Sequence, residues 1–332
     1  MSSASFRSMN HGLDTPRSAR EPIEIALVNN MPDAALQTTE QQFSELLGAA
    51  GGGYDIRLRL FSFPELIRSD AGRAYVANHY ESIDSLWGGG FDGLIVTGAE
   101  PRTPTLPDEV YWPSLTRLVD FANDTATPTV WSCLAAHAAV LYLDGIERRR
   151  LPEKISGVFR CDKACDNPLM AGVPASWPMP HSRLNTLDSA RLSTAGYEIL
   201  SFSEDAGVDT FIQHRRAPFV FYQGHPEYDA GALFREYRRD VGRYLAGTME
   251  HYPEMPAGYF DDERAHSFDA FRARAERQRS RDLLEEFPDS SPPHLWHDVA
   301  ILLYGNWLGA LVAERGSDRM LTGSGAASAR SP

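Results

Sequence analysis

Short apolar runs alternate with helical stripes through the first half of the chain. Residues 23–30, IEIALVNN, stay apolar until the closing asparagines, as a strand buried in a parallel sheet does. Residues 39–50 place Phe43, Leu46 and Leu47 at helical spacing and then stop at glycines. Residues 54–63 alternate Ile56, Leu58 and Leu60, the pattern of a half-buried strand. The same reading predicts a helix over 75–86 and a strand in FDGLIVTGAE (91–100). It continues with a helix after Pro113 up to 124, a strand over 127–132 and a helix over 134–143. Strands and helices joined by short connections predict a parallel sheet covered on both faces. Ligands of such sheets bind beyond the carboxyl ends of the strands, here 29–32, 97–101 and 132–134.

The second half changes character. Residues 153–160, 197–203, 208–214 and 218–224 are strand-like runs parted by turns, which predicts antiparallel or mixed pairing. Helices are expected over 229–245, over 263–286 and over 294–314, the last interrupted at Gly305. A single domain over 21–314 is expected, with polar, low-complexity extensions over 1–20 and 315–332 that read as disordered.

Charge narrows the partners. The net charge is −13, from 32 basic and 45 acidic residues, which argues against nucleic acid. A local basic cluster is ERRR (147–150), either a solvated helix end or loop or a place to meet an anionic cofactor. Three cysteines make no disulfide framework, and neither a membrane span nor a secretory signal is present, so a cytoplasmic location is expected.

Cys133 stands where a buried strand, TVWS, meets an alanine-rich helix. A nucleophile on such a sharp turn is exposed, has amides nearby for an oxyanion, and gains thiolate character from the helix N-terminus. A small buried core cysteine fits the position equally well. A base is available in GHPEYD, where His225 and Glu227 are two residues apart around Pro226. An extended segment projects both to one side, so Glu227 can orient the imidazole and support its charge. His137, one turn after Cys133, and His181 in MPHSR are competing histidines that read as easily as packing and turn residues. Gly98 in VTGAE would let the backbone approach a ligand, or simply close a turn. Cys161 and Cys165 lack partners at metal spacing and read as incidental.

Taken in order, LIVTGAE, VWSCLAAHAAV, EKISGVF, MPHSR, GHPEYD and EYRRDV resemble the homoserine O-succinyltransferase (homoserine transsuccinylase) family over about residues 23–311. The resemblance implies a class I glutamine-amidotransferase-like α/β fold, a flavodoxin-like three-layer α/β/α sandwich with a mostly parallel central sheet. It implies a ping-pong transfer in which Cys133 takes an acyl group from acyl-CoA and His225, oriented by Glu227, activates the homoserine hydroxyl. Arg239 matches the family arginine that binds the homoserine carboxylate. Gly98, Leu134, Lys154, Ser182 and Arg183 are expected around the substrates. Acyl-CoA enters as co-substrate, with no bound cofactor or metal, and a homodimer is the family expectation.

Three features depart from the family pattern. Asp33 and Ala34 follow NNMP where relatives often carry two lysines. Arg102 stands, counting in register, at a position that relatives fill with glutamate for acetyl or glycine for succinyl. Its charge favours succinyl as the acyl group, although acetyl and another acceptor stay open. Residues 261–287 are a long insert, expected to form a helical pair that covers the site or builds a dimer. Glutamine amidotransferases share the triad, but their nucleophile usually sits in G-x-C-x-G, whereas Trp131 and Ala135 flank Cys133.

Overall fold

The computed structural model describes residues 22–326, with side chains given through residue 315. Its core is a nine-stranded sheet. The strands in chain order are β1 (Ile23–Val28), β2 (Ile56–Phe61), β3 (Gly93–Val96), β4 (Thr129–Ser132), β5 (Arg149–Lys163), β6 (Ser176–Thr186), β7 (Glu198–Ser203), β8 (Gly207–His214) and β9 (Pro218–Tyr222). In space the order is β2-β1-β3-β4-β9-β8-β7-β5-β6. The first five of these run parallel and the remaining pairings are antiparallel. The parallel half therefore follows the flavodoxin-like order. Between β7, β8 and β9 the connections are short turns with no helix, and such links can only join antiparallel strands.

The helices are α1 (Leu36–Ala50), α2 (Asp70–His79), α3 (Ile83–Leu86), α4 (Trp112–Asp124), α5 (Leu134–Asp144), α6 (Ser189–Thr194), α7 (Ala232–Leu245), α8 (Asp262–Gln278) and α9 (His297–Ala326). Side chains of β1 alternate between two cores. Ile23, Ile25 and Leu27 pack with Phe43 and Leu47 of α1 and with Leu303, Trp307 and Leu311 of α9. Ala26 and Val28 face Leu115 and Leu118 of α4 and Ala136 and Val140 of α5. The strands between are buried on both sides, which explains their unbroken apolar runs.

Several expectations need correction. The helix predicted over 75–86 is two helices, because Ser69 and Ser82 each cap a new start. The helix α9 passes through Gly305 without interruption and continues to Ala326, beyond the boundary at 314. All of the expected extension over 1–20 and residues 327–332 of the other lie outside the described residues. The insert is one helix, α8, followed by a 3-10 turn (Arg281–Glu286), not a helical pair. Its Phe268, Phe271, Ala275 and Leu283 pack on Tyr237, Val241 and Tyr244, so it buttresses α7 from behind.

β6 was not foreseen at all. It carries Pro178 and Pro180, which argue against a strand, yet it lies at the sheet edge, where a missing N–H is tolerated. No helix among the described residues is long and apolar enough to cross a membrane.

Candidate active site

The carboxyl ends of β1, β3, β4 and β9 open into one cleft of about 2080 Å³. Cys133 lies in it, directly after β4. Its backbone has φ 51° and ψ −109°, a conformation that L residues rarely adopt. Two bonds hold the turn there: the Cys133 amide donates to Tyr222 O at 2.7 Å, and the His137 amide donates to Cys133 O at 3.3 Å. Gly98, after β3, makes room for this elbow. A Cβ at Gly98 would fall 2.7 Å from Leu134 Cβ and 3.1 Å from the Leu134 nitrogen. Gly98 thus packs against Leu134, the residue that follows the thiol, and the amide of neither residue is matched to a carbonyl among the described residues. That is the arrangement an oxyanion needs.

The candidate base follows β9. His225 Nδ1 lies 2.8 Å from Glu227 Oε1, with both side chains buried. The His225 amide donates to Pro180 O at 2.9 Å, which ties this loop to β6. Tyr228 stacks on the imidazole, with centroids 4.2 Å apart and planes 17° from parallel. Nε2, the nitrogen opposite Glu227, makes no regular hydrogen bond among the described residues. Burial pushes the His225 pKa down, but the Glu227 carboxylate and the Cys133 thiol outweigh it and hold it well above the ordinary value. An imidazole held in this way can accept or release a proton at Nε2.

Across the cleft, α7 supplies charge. Glu236 accepts from Tyr228 Oη at 2.6 Å, from Lys154 Nζ at 3.3 Å and from the Ser182 hydroxyl. Asp240 accepts from Lys154 Nζ at 3.0 Å and from Arg239 Nε at 2.9 Å. Burial pushes the Glu236 carboxyl up, but Lys154, Ser182 and Tyr228 prevail and hold it below the usual range. Burial likewise acts against the Arg239 charge, and the bond to Asp240 more than offsets it. Glu236 and Asp240 were not singled out from the sequence, although the i, i+4 spacing in EYRRD puts both on one side of a helix.

The remaining sequence candidates divide. Lys154 and Ser182 join Arg239 in the α7 network. Arg183 lines the cleft but is buried, and its guanidinium donates to Asn185 O at 2.7 Å and to Ala206 O, so its role is to fix the backbone. Arg102 sits exposed at the rim, with Nη2 3.4 Å from Ile67 O. Asp33 accepts from Ser69 and from buried Arg68, whose Nη1 lies 3.1 Å away. An arginine from another loop therefore stands beside the position where relatives carry lysine.

His181 is neither in a turn nor in the cleft. It is inside β6, fully buried, with Nε2 3.3 Å from Asp209 Oδ1 and 4.0 Å from Cys161 Sγ. These three are the one His/Cys/carboxylate group among the described residues with ligand atoms within 4.8 Å of one another. The other Asp209 oxygen already accepts from Ser201 and Thr210.

The family model of the homoserine O-succinyltransferases matches residues 8–317. The chain belongs to that family. It is 49% identical over 300 residues to the homoserine O-succinyltransferase of Bradyrhizobium japonicum, covering 89% of this chain and 92% of that one. It is 46% identical over 308 residues to the one from Methylorubrum extorquens, covering 92% and 91%. Among solved structures, a glutamine amidotransferase from Thermotoga maritima superimposes with a TM-score of 0.50 at 14% identity, covering 88% of this chain and 99% of that one. That likeness concerns the fold, and it is the fold the family resemblance implied.

Proposed function

We propose that this family member transfers a succinyl group from succinyl-CoA to the hydroxyl of L-homoserine, through a thioester on Cys133, in methionine synthesis. The observation that carries the reading is the Cys133 elbow in one cleft with the His225–Glu227 pair. In the first half-reaction the Cys133 sulfur attacks the thioester carbonyl. The C–S bond to CoA breaks, and the CoA sulfur takes the proton from His225. One thioester replaces another, so the step is nearly balanced, and catalysis rests on positioning and oxyanion stabilisation by the Gly98 and Leu134 amides. In the second, His225 Nε2 takes the homoserine hydroxyl proton, the oxygen attacks the acyl carbon, and the ester leaves as Cys133 regains its thiolate. Arg239 suits the amino-acid carboxylate, since a guanidinium fork meets a carboxylate in two bonds. Glu236 and Asp240 suit the ammonium group.

The test is release of free CoA thiol by the purified protein with L-homoserine and either succinyl-CoA or acetyl-CoA. The reading expects homoserine-dependent release with succinyl-CoA. Folded protein that turns over neither donor would sink it.

A further inference from the structure

The basic cluster at 147–150 finds a use in the cleft. Gly145 ends α5 in the left-handed conformation, Ile146 anchors in the core, and the chain turns back so that Arg148 lines the cleft together with Cys133. The Arg148 side chain is half-buried, and its Nη1 is shut off from solvent with no hydrogen-bond partner among the described residues. A guanidinium N–H buried in that way is costly unless an acceptor meets it.

Arg148 makes no ion pair among the described residues. Burial weakens the charge, while Tyr111, Glu109 and the Cys133 thiol act on it from nearby in its favour, against Arg150. Glu109 is the carboxylate of this group, but it forms no ion pair with Arg148. Its Oε1 already accepts from the Arg102 amide, the Thr103 amide and the Thr103 hydroxyl, at 2.7, 2.8 and 2.7 Å. The buried Tyr111 hydroxyl likewise has no hydrogen-bond partner among the described residues. His137 adds no competing cation. Gln223 Nε2 donates to Val208 O, so its Oε1 accepts from His137 Nε2, and burial keeps that imidazole neutral. Arg148 is thus a positive charge on the cleft wall with no ion-pair partner among the described residues.

We propose that Arg148 receives the distal carboxylate of the acyl group, and that this contact, rather than Arg102 at the rim, selects a dicarboxylic acyl chain over acetyl. The assignment rests on the acyl-transfer reading above. It needs no further reactant, because the carboxylate arrives as part of the thioester.

The experiment is the acylation half-reaction without homoserine, read as the mass of the Cys133 adduct against time. Succinyl-CoA and acetyl-CoA are compared for wild type, Arg148→Met, Arg148→Lys and Arg102→Ala. Arg148→Met should lower the succinyl-over-acetyl preference by about 10- to 150-fold, the loss for one hydrogen bond to a charged group. Arg148→Lys, which keeps the charge and is the safer variant for folding, should lower it less. Arg102→Ala should leave it near the wild-type ratio. An unchanged ratio in both Arg148 variants, or a collapse in Arg102→Ala instead, overturns the assignment while the acyl-transfer reading stands. A wild type acylated by neither thioester removes both.

Discussion

Replacing Glu227 by glutamine tests how the base is held. Glu227 Oε1 lies 2.8 Å from His225 Nδ1, and its side chain is only 5% exposed, so water screens the interaction little. A hydrogen bond to a charged partner is worth about 1.5–3 kcal/mol, or roughly 10- to 150-fold in rate if it is lost only in the transition state. The amide also fails to stabilise the imidazolium, and it can present its NH2 to Nδ1 and force the wrong tautomer. The expected loss in kcat/KM is therefore about 10²- to 10⁴-fold, with some activity left because the nucleophile remains. The pH profile should move as well. Burial alone pushes His225 down, and Glu227 leads the groups that hold it up. Without that carboxylate the imidazolium loses its proton at lower pH, so the basic limb of kcat/KM shifts to lower pH. Thiol release measured across pH is the assay. A loss below about 10-fold, with the basic limb unmoved, would refute the role given to Glu227.

Three further outcomes follow from the same geometry. Cys133→Ala and Cys133→Gly should both abolish the acyl adduct, but glycine relieves the backbone at φ 51° and should be the more stable by about 1 kcal/mol in denaturant unfolding. Equal midpoints would mean that the elbow stores no strain. Gly98→Ala puts a methyl 2.7 Å from Leu134 Cβ and should cut kcat by about 10²-fold through displacement of the elbow, with thermal stability as the control for folding. His137→Gln should change the acid side of the stability curve. Burial pushes His137 to about 3, against roughly 6.5 when unfolded, so wild type loses stability as pH falls below that unfolded value, by up to about 1.4 kcal/mol per unit. The variant should lose less over this window, and parallel curves for the two proteins would contradict the assignment.

Much of this architecture is visible in the chain because burial on both faces leaves an unbroken apolar run. IEIALV, GLIV and TVWS are such strands, and each ends at the cleft. The candidate triad is visible for a related reason: a thiol at a strand–helix junction and a His-x-Glu after a strand are local patterns. What stays hidden is set by distant contacts. The prolines of β6 disguise a strand whose place at the sheet edge makes them harmless. Arg183 and Arg239 are both arginines in family motifs and both line the cleft, yet one is committed to main-chain carbonyls and the other pairs with Asp240. Arg148 gains significance only because the turn after α5 brings it into the same cleft as Cys133. Spacing along the chain does not report such approaches.

The most direct test of the account is the intact mass of the wild-type protein incubated with succinyl-CoA and then with L-homoserine. The account predicts a mass increase of one succinyl group, mapped to Cys133, which disappears as homoserine is added and its O-succinyl ester forms. No adduct, an adduct on another residue, or an adduct that homoserine does not discharge would contradict it.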